Sequence, residues 1–68
     1  MNKVFYNSKI AVFGSSGMVG SAIVNLLKKS GYKNLLTPKR KDLNLLKFVD
    51  VEIWFKNYEP DVVILAAA

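Results

Sequence analysis

Lys9-Ile10-Ala11-Val12-Phe13-Gly14-Ser15-Ser16-Gly17-Met18-Val19-Gly20 is the stretch that decides the fold of this chain. Its uninterrupted apolar run, Ile10 to Phe13, reads as a parallel strand covered on both faces. Three glycines spaced three apart follow, and they open an amphipathic stretch from Met18 to Lys29. Strand, glycine turn and helix in that order let a backbone approach a dinucleotide pyrophosphate. A side chain at Gly14 would hinder the tight turn, and one at Gly17 would hold the phosphates away. One at Gly20 would keep the helix from packing on the sheet. The start of the helix offers N–H groups and a partial positive charge to the anion. A phosphate loop of the Gly-x4-Gly-Lys-Ser/Thr kind is excluded, because neither Gly14 nor Gly17 begins such a run.

Working outward, Val19, Ala22, Ile23, Leu26 and Leu27 recur at helical spacing and leave Asn25, Lys28 and Lys29 outside. Ser30-Gly31 ends the helix. Asn34 to Thr37 reads as a short second strand closed by Pro38, and Leu43-Asn44-Leu45 as a very short further one. Lys47 to Tyr58 fits two patterns. Val49, Val51, Ile53 and Phe55 alternate as in a strand, while Phe48, Val51, Phe55 and Tyr58 share one helical face. Length and the need for a crossover between parallel strands favour the helix. After Pro60, Asp61-Val62-Val63-Ile64-Leu65 is the last strand and runs into Ala66-Ala67-Ala68. The expected fold class is α/β, a partial Rossmann fold of β-α-β-(β)-α-β order, the N-terminal half of a doubly wound parallel sheet. Residues 1–8 are expected as an N-terminal tail and residues 9–68 as an incomplete dinucleotide-binding domain.

Sixty-eight residues, 51% of them hydrophobic, describe a globular chain with a marginal core. It contains no cysteine and no histidine, which excludes disulfides and the usual zinc sites. No run is long enough for a membrane span, and Val4-Phe5-Tyr6 is too short for a signal-peptide core, so the expected location is cytoplasmic. A net charge of +5 is compatible with a small basic module that binds nucleotides or nucleic acid, with Trp54, Phe55 or Tyr58 as stacking groups. Those aromatics fit a buried helix face better, and most of the lysines read as solvated.

The exception is Lys39-Arg40-Lys41, about twenty residues beyond Gly20. Enzymes that use NAD carry an acidic residue there for the ribose hydroxyls. An arginine at that place can form a bidentate, charge-assisted pair with the 2′-phosphate of NADP, a contact worth ~1.5–3 kcal/mol. NADP is therefore the expected cofactor, with Asp42 keeping NAD as the alternative. Leu65, Ala66, Ala67 and Ala68 close the last strand at its carboxyl end, where small residues leave room for a cofactor.

With these residues placed, the chain resembles the N-terminal part of the GDP-L-fucose synthase family of NADP-dependent epimerase/reductases, extended short-chain dehydrogenases. The likeness runs from about Lys9 to Ala68. It rests on Gly14-Ser15-Ser16-Gly17-Met18-Val19-Gly20-Ser21-Ala22-Ile23-Val24, on Arg40-Lys41-Asp42-Leu43-Asn44-Leu45-Leu46 and on Leu65-Ala66-Ala67-Ala68. The resemblance implies that the first block holds the pyrophosphate and the second, Arg40 to Leu45, the adenosine end with its 2′-phosphate. The third would border the ribose and nicotinamide. It also implies NADPH-driven reduction of a nucleotide-linked keto-sugar by a complete, homodimeric enzyme.

Ser16 stands where the family commonly has an arginine, so NADP preference leans on Arg40 and Lys41. Lys47 stands where a helix-capping aspartate is common, which weakens the start of the second helix. The family's catalytic tyrosine with a lysine four residues on has no counterpart here: Tyr6, Tyr32 and Tyr58 are followed at that spacing by Ile10, Leu36 and Val62. Its epimerising cysteine and histidine have none either. The chain is thus expected to be the cofactor segment of such an enzyme and inactive alone. Two alternatives stay open, the small basic binding module and one piece of a split enzyme.

Overall fold

The computed structural model describes residues 5–66. Three parallel strands, β1 (Ile10–Phe13), β2 (Leu35–Leu36) and β3 (Val62–Leu65), form one sheet in the order β2-β1-β3. Helix α1 (Met18–Lys29) links β1 to β2, and α2 (Phe48–Tyr58) precedes β3. The register runs Ile10↔Leu35 and Ala11↔Leu36 on one side of β1, and Ile10↔Val62 through Phe13↔Leu65 on the other. This is the expected α/β partial Rossmann fold, with β1 central.

All four β1 residues are buried, and the two-residue period of the strand divides them between two cores. Ile10 and Val12 pack with Val24 of α1, joined by Leu27, Tyr32, Leu35, Val62 and Ile64. Ala11 and Phe13 pack with Leu43, joined by Leu36, Val51, Trp54 and Phe55. One helix therefore covers each face, which is why the β1 sequence is apolar without alternation. On the α2 face, aromatic rings carry the contact: Phe13 and Trp54 lie edge-on at 5.4 Å, and Trp54 and Phe55 at 5.3 Å.

Four details differ from the sequence expectations. First, Leu43-Asn44-Leu45 is not a strand. Leu43 is buried, but the Lys47 N–H bonds the Asn44 carbonyl at 3.0 Å and the Leu46 N–H bonds Asn44 Oδ1 at 2.9 Å, so a turn forms instead. Second, β2 comprises only Leu35 and Leu36, because Pro38 limits the ladder.

Third, the buried face of α1 is rotated: Gly20 and Val24 are buried and Ile23 and Leu27 half-buried, whereas Val19 and Leu26 are 55% and 65% exposed. Gly20 lies against the preceding turn and fixes the helix about its axis, so positions 20, 24 and 27 face inward. Fourth, the inner face of α2 is Val51, Trp54 and Phe55, while Phe48 and Tyr58 are exposed.

Ends of elements are closed by backbone. The Tyr32 N–H bonds the Leu27 carbonyl and the Gly31 N–H the Lys28 carbonyl, a Schellman closure of α1 with Gly31 at φ 97°. Lys47 caps α2 without a side-chain bond. Asp61 Oδ2 accepts from the Lys9 N–H at 2.8 Å, which ties the entry of β3 to that of β1. Residues Phe5 to Ser8 form a turn in which the Ser8 N–H reaches the Phe5 carbonyl, and Asn34 Nδ2 donates to the Asn7 carbonyl.

Candidate functional site

In a parallel sheet every strand delivers its next loop to the same edge, so β1, β2 and β3 all open at their carboxyl ends. There β1 turns sharply: Gly14 has φ 82°, and the Gly17 N–H bonds the Gly14 carbonyl at 3.1 Å. A Cβ at Gly14 would lie 2.7 Å from the Ala66 carbonyl oxygen, itself held because the Ala66 N–H bonds the Phe13 carbonyl at 2.9 Å. A Cβ at Gly20 would overlap the Gly14 carbonyl oxygen and stand 2.6 Å from its carbon. The atoms that a side chain at Gly20 would meet, and that would push α1 off the sheet, belong to the turn. A Cβ at Gly17 would meet nothing closer than 3.5 Å, so the space beside Gly17 lies outside the protein.

That space adjoins the start of α1. Gly17 is the N-cap, no side chain caps the helix, and its first turn contains no acidic residue. Its unshared N–H groups and dipole are therefore available to an anion, while Lys28 and Lys29 complement the opposite end. Around the turn, Ser15 is half-buried, Ser16 is exposed, and Met18 and Val19 project to solvent. The Ser21 hydroxyl donates to the Met18 carbonyl at 3.1 Å.

The basic segment leaves β2 beside this turn, since Leu36 pairs with Ala11, two residues before β1 ends. The Lys39 carbonyl accepts from both the Asp42 and the Leu43 N–H, each at 2.9 Å. Arg40, Lys41 and Asp42 are exposed at the tip of the resulting turn, with Leu45 49% exposed and Asn44 half-buried. Leu43 alone points into the core. From the third block, Leu65 is exposed and Ala66 buried, and Ala67 and Ala68 lie outside the described residues. The Ala66 carbonyl as the wall behind Gly14 has no signal in the sequence, because it is a backbone atom brought there by strand order.

A cavity of about 350 Å³ lies away from this turn, lined by Lys9, Lys33, Asn34, Leu35, Leu36, Asn57 and Tyr58. Lys9 Nζ there donates to the Tyr58 carbonyl at 3.3 Å. Among the described residues no helix is long and apolar enough to cross a membrane.

The profile of the NAD dependent epimerase/dehydratase family matches residues 10–68. GDP-L-fucose synthase 1 of Arabidopsis thaliana is 45% identical over 62 residues, covering 91% of this chain and 19% of that protein. GDP-L-colitose synthase of Yersinia pseudotuberculosis is 36% identical over 59 residues, covering 87% of this chain and 19% of that protein. A GDP-mannoheptose C4 reductase from Campylobacter jejuni, solved with NADP bound, superposes with a TM-score of 0.92 at 36% identity. That alignment covers 97% of this chain and 20% of the reductase. The chain therefore spans about one-fifth of the length of the relatives it matches.

Proposed function

The chain belongs to the NAD dependent epimerase/dehydratase family, and from that premise we propose that it is the NADP(H)-binding segment of a nucleotide-sugar epimerase/reductase. The observation that carries this reading is the turn at Gly14–Gly17–Gly20. It is compressed wherever backbone meets backbone and open only beside Gly17, at the mouth of an uncapped helix. A cradle of that shape admits a pyrophosphate at Gly17 and would be filled by a side chain there. Arg40 and Lys41, carried to the same edge by β2, supply the charge for a 2′-phosphate. Leu65 and Ala66 border the side on which the ribose and nicotinamide would lie. Ser15, Ser16, Met18 and Val19 contribute backbone along the diphosphate.

NADPH supplies a hydride when bound. The residues of this chain bind and orient it, and the proton-transfer pair of the complete enzyme comes from outside residues 1–68. A GDP-linked sugar is the substrate that the relatives' names suggest for the complete enzyme; its keto form, the cytoplasm and a homodimer follow from the family resemblance alone. The uncovered face of β3, with Val63 43% and Leu65 68% exposed, favours a chain that works joined to further structure, in one polypeptide or as a split partner.

Gly17→Val tests the reading. The site around Gly17 is open, so the fold is expected to survive while NADPH affinity, measured by isothermal titration calorimetry, drops at least about tenfold. Unchanged affinity in a folded variant would sink the assignment.

A further inference from the structure

We infer that Leu43 is a positioning residue for Arg40, and that through it the chain sets its preference for a dinucleotide bearing a 2′-phosphate; this rests on the dinucleotide reading above. Between the end of β2 at Leu36 and the start of α2 at Phe48, Leu43 is the one buried residue, 5% exposed. Arg40 and Lys41 form the tip of a turn whose two closing bonds run from the Asp42 and Leu43 N–H groups to the Lys39 carbonyl. One end of that turn is therefore fastened to the anchor itself.

The anchor is seated against Ala11 and Phe13 of β1, and Phe13 directly precedes Gly14. The same strand end thus carries the glycine turn and receives the only apolar pin of the basic turn. Through β1, Leu43 fixes where Arg40 stands relative to Gly17. The segment needs such a pin. Lys39, Arg40 and Lys41 repel one another, and a guanidinium gains its bidentate geometry only if its backbone is already placed. A dinucleotide without the 2′-phosphate makes no use of Arg40 in this way, so removing the pin affects the two cofactors unequally.

The test compares NADPH and NADH affinity by calorimetry in the full chain and in Leu43→Ala, Leu43→Met and Val24→Ala. Val24→Ala removes apolar volume from the opposite face of the sheet, and so reports a general loss of core. Leu43→Ala is expected to lower the NADPH:NADH affinity ratio about three- to tenfold. Leu43→Met should keep the ratio within about twofold, since the swap preserves volume, and Val24→Ala should leave it unchanged. If Leu43→Ala does not fold, Leu43→Val takes its place with the same direction of change.

Amide exchange on the free chain gives a second readout. Leu43→Ala should strip protection from the Asp42 and Leu43 N–H groups while β1 keeps its own. A ratio that does not move in Leu43→Ala, or that falls as far in Val24→Ala, overturns the inference. So does unchanged exchange at Asp42 and Leu43. If exchange behaves as expected but the unmodified chain binds neither dinucleotide, the dinucleotide reading fails and takes the selectivity role with it, leaving Leu43 a purely structural anchor.

Discussion

Gly20→Ala separates helix propensity from packing, because the two predict opposite signs. In an exposed helix interior, replacing glycine by alanine stabilises by about 1 kcal/mol. Here the added Cβ would overlap the Gly14 carbonyl oxygen, with the Gly14 carbon at 2.6 Å and Ser15 Cα at 2.9 Å. All three are backbone atoms and cannot rotate aside. The turn cannot retreat either, since the Gly14 carbonyl is held by the Gly17 N–H and Gly14 is backed by Ala66. Helix α1 must then move away from the turn, loosening Val24 and Leu27 against Ile10 and Val12.

Overpacking of this kind costs typically ~1–3 kcal/mol, and a contact with no flexible side chain belongs at the upper end. After the propensity gain is subtracted, a net loss of about 2 kcal/mol remains. At roughly 4–8 °C per kcal/mol for a domain of this size, the melting temperature should fall by about 8–16 °C. Thermal unfolding followed by far-UV circular dichroism measures it, with Ala22→Gly on the exposed side of the same helix giving the propensity contribution alone. An unchanged or raised melting temperature in Gly20→Ala would refute the packing argument.

Arg40→Ala is expected to weaken NADPH binding about ten- to a hundredfold, the loss of one charge-assisted pair, and to leave NADH binding nearly as it was. Equal losses for both cofactors in calorimetry would remove Arg40 from the 2′-phosphate site. The uncovered face of edge strand β3 is expected to make the isolated chain self-associate, and Leu65→Lys, which places a charge there, should reduce that association in sedimentation velocity. Association that persists undiminished would locate the sticky surface elsewhere, for example along the exposed Val19 and Leu26 of α1.

Much of the fold can be read locally. Ile10 to Phe13 is apolar at every position and, followed by a glycine turn and a helix, reads as a strand buried on both faces. The glycines mark the turn, and Gly31 marks the end of α1 at the residue that adopts φ 97°. The ambiguous stretch from Lys47 to Tyr58 resolves as a helix by the crossover argument, since two parallel neighbours of β1 require it. Leu43-Asn44-Leu45 misleads because a buried leucine beside a half-buried asparagine imitates alternation. The Leu46 N–H donating to Asn44 Oδ1 and the Lys47 N–H donating to the Asn44 carbonyl make it a turn rather than a strand.

By itself the sequence determined the period of each element and the chemistry placed at its ends: glycines after β1, cations after β2, small residues after β3. These are properties of neighbours along the chain, which backbone sterics and side-chain polarity settle locally. Tertiary structure decided that Val19 and Leu26, apolar at helical spacing, stay on the outer side of α1. It also decided that the wall behind Gly14 is the Ala66 carbonyl, 52 residues away, and that Leu43 joins Phe13. Contacts between residues so far apart depend on strand order and on space already filled, and no local pattern encodes either.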